Sequence, residues 1–227
     1  MKIAIVGKNP DKLKKHLKTI ERYRSYISDK PEIVVAIGGD GTYLEAERMY
    51  PGVPKLLVRD ESICKMCDCD DLEEGLKLLM NRKFRIKEFK KLKATLGKKV
   101  LEAVNDIVVR NVEPTHALRF RIWMNGRRME EEFIGDGIVV STVVGSGGYF
   151  FSIAKKTFEQ GIGLAFNNTT KSHAALVFDE NVQIEVEITR GVAHLAVDNN
   201  PDVQVINEGG KVTVSQSEHV AKIVQIT

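Results

Sequence analysis

"IVVAIGGDGTYLEAERM", residues 33 to 49, joins two different patterns. Ile33 to Ile37 is a β-branched apolar run, of the kind buried on both faces of a parallel sheet. From Thr42 onward the composition turns to helix formers. Between the two stand Gly38, Gly39, Asp40 and Gly41. Glycines at the carboxyl end of a strand let the backbone turn sharply and approach a ligand closely. The helix that follows offers free N–H groups and a partial positive end, which suits phosphate. In open α/β sheets the ligand binds outside such strand ends. A carboxylate there cannot hold phosphate directly, because like charges repel. Asp40 instead fits a base that takes a proton from a hydroxyl attacking phosphate, or a partner for the metal that bridges phosphates. The plainer alternative is an aspartate that caps the helix and does no chemistry. No Gly-Lys-Ser/Thr follows, so the turn is not a Walker P-loop.

Toward the N-terminus, "MKIAIVG" reads as a first buried strand. "NPDKLKKHLKTIERYRSYI" predicts one helix, with Asn9 as N-cap, Pro10 in the first helical position, and Leu13, Leu17 and Ile20 on one face. "PKLLVRD" is a third strand, and "CDDLEEGLKLLM" a helix capped by Asp70 or Asp71. Alternating strands and helices imply a parallel sheet covered on both faces. After residue 83 the rhythm changes to strand alternation, with Asn125-Gly126 marking a tight hairpin. "GSGGYFFSIAKKTF" alone suggests a helix there. The expected fold class is α/β: an N-terminal parallel-sheet domain over residues 1–83 and a β-rich, antiparallel C-terminal domain over 84–227. The last strand is free to return to the first domain.

A net charge of +3 is too small to argue for nucleic acid. The basic residues cluster at Lys12, Lys14, Lys15, Lys18, Arg22 and Arg24, and again from Arg82 to Lys99. These read as a solvated helix face and a polar strand edge, or as a field that draws in anionic ligands. No apolar run approaches the roughly 18 residues that span a bilayer, so a cytoplasmic protein without membrane or nucleic-acid partners is expected. Cys64, Cys67 and Cys69 lie together in "SICKMCDCDD", yet no second cysteine pair or neighbouring histidine completes a four-ligand zinc set. They are expected to be reduced packing or surface thiols.

Two further stretches carry polar groups where apolar ones would suffice. "GDGIVVSTVVGSGGYFFS", residues 135 to 152, brackets a strand with two glycine-bearing turns. Its backbone N–H groups and small side chains can close on a sugar and a flat ring, and Asp136 can accept from an amide or from hydroxyls. In "EAVNDIVVRN", Asn105 and Asp106 interrupt a strand built for burial. Such groups must find partners or lie at an exposed end, and an adjacent amide and carboxylate could hold a vicinal diol.

With these three stretches in this order, nearly the whole chain resembles the NAD kinases that use ATP or polyphosphate. That family carries a Gly-Gly-Asp-Gly-Thr turn, here Gly38 to Thr42, and an Asn-Glu pair about 65 residues later, here Asn105 and Asp106. Next comes Asp-Gly-x-x-x-Ser-Thr-x-x-Gly-Ser-Thr-Ala-Tyr-x-x-Ser, here Asp136 through Ser152. The first motif is shared with diacylglycerol, sphingosine and phosphofructokinase relatives; the order and spacing of all three are more specific. The resemblance implies that Asp40 activates the 2′-hydroxyl of the adenosine ribose of NAD. It implies that Gly38, Gly39, Gly41 and Thr42 line the ATP phosphates. Asn105, Asp106, Asp136, Gly145, Ser146, Gly148, Tyr149, Ser152 and, in a late turn, Asp198 would form the NAD site. It also implies Mg²⁺ carried with ATP and a homodimer or homotetramer. Other readings are a kinase of a lipid or nucleoside hydroxyl, or a catalytically weak nucleotide-binding regulator. The chain departs from the pattern at Asp106, one methylene shorter than glutamate, and at Val144 and Gly147, where hydroxyls are lost. Gly148 replaces alanine, Ile134 replaces an arginine, and "RDESICKMCDC" stands where the family is rich in glycine.

Overall fold

The structure, a computed structural model, describes every residue except Lys8, Asn9 and Ile63, and only the backbone of Pro10 and Lys12. Among the described residues no helix is long and apolar enough to cross a membrane. The chain divides into two units, Met1–Phe89 with Val220–Thr227, and Lys90–His219.

In the first unit β1 (Ile3–Gly7), β2 (Ile33–Gly38) and β3 (Lys55–Arg59) run parallel, with β2 in the middle. Helices α1 (Pro10–Lys14) and α2 (Leu17–Arg22) lie between β1 and β2, α3 (Asp40–Met49) lies between β2 and β3, and α4 (Leu72–Met80) follows β3. β2 is buried along its whole length, as its unbroken apolar run requires. Leu72, Leu76 and Leu79 recur at helical spacing on α4 and pack with Ile33, Val35, Ile37, Leu56 and Val58. Asp71 caps that helix by accepting from Glu74 N at 2.8 Å. A buried ion pair between Glu47 of α3 and Lys55 of β3 fixes the helix that starts at Asp40, and Lys55 Nζ also donates to Tyr50 O at 2.7 Å.

The single helix expected over residues 9 to 27 is instead two short ones, α1 and α2, followed by a 3₁₀ turn at Arg24–Tyr26. Lys14 and Lys18 place like charges four residues apart, which opposes a continuous helix. After the break Leu13 and Ile20 still pack on the core, whereas Leu17 is 56% exposed. Pro10 opens α1; the capping role expected of Asn9 lies outside the described residues.

The chain passes out of the first unit along β4 (Phe84–Leu96), so the division falls inside a strand, at Phe89/Lys90. The second unit continues with β5 (Lys99–Ala103), β6 (Asp106–Asn111), β7 (Leu118–Met124), β8 (Arg127–Arg128), β9 (Phe133–Gly135) and β10 (Gly137–Ser141). Then follow α5 (Tyr149–Ala154), β11 (Ile162–Asn167), β12 (Leu176–Phe178), β13 (Ile184–Arg190), β14 (Ala193–Val197), β15 (Gln204–Ile206) and β16 (Lys211–Ile226). One antiparallel sheet has the order β12-β11-β10-β6-β14-β15. A second contains β13 between β7 and β16, with β8 and β9 against β7. Ile107, Val109, Ile138 and Leu195 of the first sheet share one apolar core with Phe120, Ile122, Ile184 and Val186 of the second. That strict alternation leaves Val108, Val139 and Ala165 on the opposite face, where α5 covers them with Phe150. Asn125 (φ 49°) and Gly126 (φ 77°) form the expected hairpin turn between β7 and β8. From Val220 β16 belongs to the first unit, where Ile223 pairs in parallel with Lys55 of β3.

Candidate active site

The glycine turn sits where β2 ends and α3 begins. Gly38 has φ +155°, and a Cβ there would run into Thr42 Oγ1. Thr42 is therefore buried against the turn it follows, buttressing the glycines from behind. Gly39 is the N-cap and Asp40 the first helical residue, so the carboxylate stands at the positive end of α3. Asp40 is half-buried. Its Oδ1 accepts from Lys65 N and Met66 N, both at 3.0 Å, and its Oδ2 accepts from Lys65 N at 3.2 Å.

Those amides belong to the cysteine loop, whose cysteines are not all reduced thiols, contrary to expectation. Cys64 and Cys67 form a disulfide with their Cα atoms 5.5 Å apart, because a Cys-x-x-Cys turn brings both side chains to one side within bonding reach. Cys69 alone remains a thiol; it is buried, donates to Asp71 O at 3.0 Å, and burial raises its pKa. Among the described residues no group of three or more His, Cys, Asp or Glu is gathered for a metal ion.

In the second unit Asn105, Asp106 and Asp198 come together. Asp198 has φ 47°, and its own N–H donates to Asp106 O at 2.9 Å. Its carboxylate accepts from Val104 N and Asn105 N at 2.8 Å and from Asp106 N at 3.1 Å. The side chain thus clamps the turn that presents Asn105 and Asp106. Thr142 completes it: Thr142 Oγ1 donates to Val104 O at 2.6 Å and accepts from Gly145 N at 3.1 Å. Two groups face this turn among the described residues. Among the described residues Asn105 Oδ1 is buried with no donor, and Asp106 is a buried residue, 8% exposed, beside Asp198.

Burial, followed by the neighbouring Asp198 charge, pushes Asp106 up to about 7. Burial raises Asp198 as well, against the pull of its three amide donors. Those donors favour the ionised form of Asp198, so Asp106 is the member of the pair that takes the proton. The folded protein therefore holds a proton between pH 3.8 and about 7 that the unfolded chain releases. Stability falls as pH rises through that window and levels off above it. Asp106→Asn should abolish this decline and be the more stable protein at pH 8, by roughly 2–4 kcal/mol. Urea unfolding at pH 5 and pH 8 measures it; an identical decline in both proteins would place the proton elsewhere.

Gly145 packs against Asn105 so closely that a Cβ would approach the Asn105 Cα to 2.7 Å and collide with its carbonyl. Gly145→Ala must push the two segments apart, at a cost of about 1–3 kcal/mol. Its melting temperature should fall, and Asn105 should move with it.

Of the remaining expected residues, Asp136 lies apart from this cluster. Ser141 pairs with Asp106 and Gly137 with Arg110, so Asp136 is at the far end of β10, about 16 Å from Ser141 along the strand. There its Oδ1 accepts from Asn111 Nδ2 at 3.3 Å and its Oδ2 from Asn168 Nδ2 at 3.1 Å. Tyr149 OH accepts from Asn167 Nδ2 at 3.2 Å. Ser152 Oγ is turned back to Tyr149 O at 2.7 Å, and Ser146 Oγ to Phe158 O at 3.5 Å. Gly148 is exposed, close to Asp106 Oδ2. The amides of Lys65 and Met66 and the asparagines 111, 167 and 168 were not foreseen. Backbone donors have no sequence signature, and the asparagines sit among strand residues without a recognisable spacing.

A profile described as the ATP-NAD kinase C-terminal domain matches residues 104–226. An NAD kinase of Acetivibrio thermocellus is 27% identical, the match covering 86% of this chain and 72% of that protein. An NAD kinase of Sulfurisphaera tokodaii is 26% identical over 99% of this chain and 95% of its own length. The crystal structure of an Archaeoglobus fulgidus NAD kinase with ATP superposes with a TM-score of 0.82 at 19% identity, covering 98% of this chain and 93% of that one. Yeast NADH kinase with NADH gives 0.86 at 17%, covering 100% and 84%. At such identities the two structures establish the fold.

Proposed function

We propose that this chain, which belongs to the ATP-NAD kinase C-terminal domain family, transfers the terminal phosphoryl group of ATP or polyphosphate to the 2′-hydroxyl of the adenosine ribose of NAD, giving NADP. The observation that carries the reading is the intact Gly-Gly-Asp-Gly turn, with Asp40 at the positive end of α3. In this reading the first unit supplies the phosphate-donor part and the second unit the NAD part. Asp40 takes the 2′-hydroxyl proton as the ribose oxygen attacks the terminal phosphorus, and the bond to the leaving phosphate oxygen breaks with its electron pair.

Asn105 Oδ1, a buried acceptor without a donor, supports a ligand hydroxyl or amide at that point, since buried polar atoms otherwise find partners. Asp106, which carries a proton near neutrality, can donate to one oxygen of a ribose diol and accept from the other. The chemistry of the donor set fits Mg²⁺ that arrives on the nucleotide phosphates with mostly water ligands. It would neutralise phosphate charge, with Asp40 the protein carboxylate nearest the turn. Exposed Val177 on the edge strand β12 and Val205 on the edge strand β15 support a homodimer or homotetramer, because unpaired edges are normally covered.

The test is direct: purified protein with Mg-ATP or polyphosphate and NAD, with NADP detected by an NADP-specific dehydrogenase. NADP in neither reaction, with phosphate transferred instead to a lipid or another nucleoside, would refute the assigned acceptor.

A further inference from the structure

The two residues that donate to Asp40 are the two enclosed by the Cys64–Cys67 disulfide. The small covalent ring leaves Lys65 and Met66 little freedom, and both of their N–H vectors point at one carboxylate. The sulfurs pack against the same turn, Cys64 Sγ 3.4 Å from Asp40 Oδ1 and Cys67 Sγ 3.6 Å from Gly38 O. Neither disulfide sulfur has a hydrogen to donate, so these are packing contacts. The two loop amides make three contacts with a carboxylate that has roughly four acceptor positions. A hydroxyl proton therefore competes with these amides for a carboxylate whose negative charge they already share.

We propose that Cys64 and Cys67 are a redox-modifiable site that clasps Asp40, and that reduction by a dithiol frees it. Cys67 is half-buried and Cys64 buried, so the incoming thiolate attacks Cys67 Sγ. The S–S bond breaks, and Cys64 leaves as a thiolate that takes a proton beside the Asp40 carboxylate. The second thiol of the reductant then attacks the mixed disulfide, and Cys67 leaves and is protonated. Two electrons and two protons pass to the protein, and the reductant becomes a disulfide. Without the ring the Lys65–Met66 turn is an ordinary exposed loop, and its amides exchange Asp40 for water.

This inference rests on the kinase reading for what Asp40 does, but its main readout does not. The full chain is prepared with oxidised or reduced dithiothreitol, and its thiols are counted by alkylation and mass. The oxidised protein should label only at Cys69 and the reduced one at all three cysteines. Amide hydrogen exchange is then followed at Lys65 and Met66, and NADP formation in parallel. Reduction should lower protection of both amides about tenfold and speed NADP formation by a similar factor. Cys67→Ser should behave as the reduced protein whether or not reductant is present. Three free thiols after oxidation, or unchanged protection, overturns the clasp whatever the turnover. Equal or slower NADP formation after reduction overturns its role as a switch. A chain that makes no NADP in either state, while the two amides still lose protection, defeats the kinase reading and leaves the clasp standing.

Discussion

Replacing Asp40 with asparagine is expected to cut NADP formation by more than about 100-fold and to leave the fold unchanged. The amide is nearly isosteric, and its oxygen can still accept from Lys65 N and Met66 N, so the loop stays seated. What is lost is the capacity to take a proton in the transition state, which a neutral amide does not have. The loss should fall on kcat with the NAD Michaelis constant little changed, because the residues assigned to NAD are all in the second unit. Rates come from the coupled assay and fold integrity from a circular-dichroism melt. Normal turnover by the variant would remove Asp40 from the chemistry.

The second large effect concerns a residue that need not touch the transferred phosphate. Asp198→Ala strips the acceptor from three backbone N–H groups, those of Val104, Asn105 and Asp106. An unsatisfied buried donor costs about 1–3 kcal/mol, so three of them amount to roughly 3–9 kcal/mol, a large share of a domain's typical stability of about 5–15 kcal/mol. Part of that is offset, because removing the Asp198 charge also relieves Asp106. Alanine further strains position 198, where φ is 47°, a region that asparagine tolerates far better. Asp198→Asn should therefore keep most of the stability. NAD binding should follow the same order, since the clamp sets where Asn105 and Asp106 point. Denaturant unfolding and NAD titration measure the two effects; an alanine variant within about 1 kcal/mol of the parent would mean that water replaces the carboxylate.

Much of the architecture was legible because it is written in local periodicity. The apolar run of β2, the helix formers of α3, the Asn125-Gly126 turn and the alternation through β13 each follow from the geometry of one element. The first helix was misjudged for a related reason. Leu13, Leu17 and Ile20 satisfy helical spacing, but that pattern does not register a break between them. The cysteines were misjudged because pairing depends on loop conformation; Cys-x-x-Cys permits a disulfide without requiring one.

The order of α/β and β-rich segments, and Asp40 as the carboxylate within a glycine turn, are both readable from the residues alone. Both depend on neighbours a few residues away, where covalent geometry restricts the options. Folding in three dimensions is what brings Asp198 back across 93 residues to the amide of Asn105, and what closes the cysteine loop over Asp40 from 25 residues away. Strand pairing likewise sets Asp136 at the opposite end of β10 from Ser141 and Asp106. These arrangements use backbone donors and strand register, which leave no side-chain pattern and acquire their partners only when distant segments are packed together.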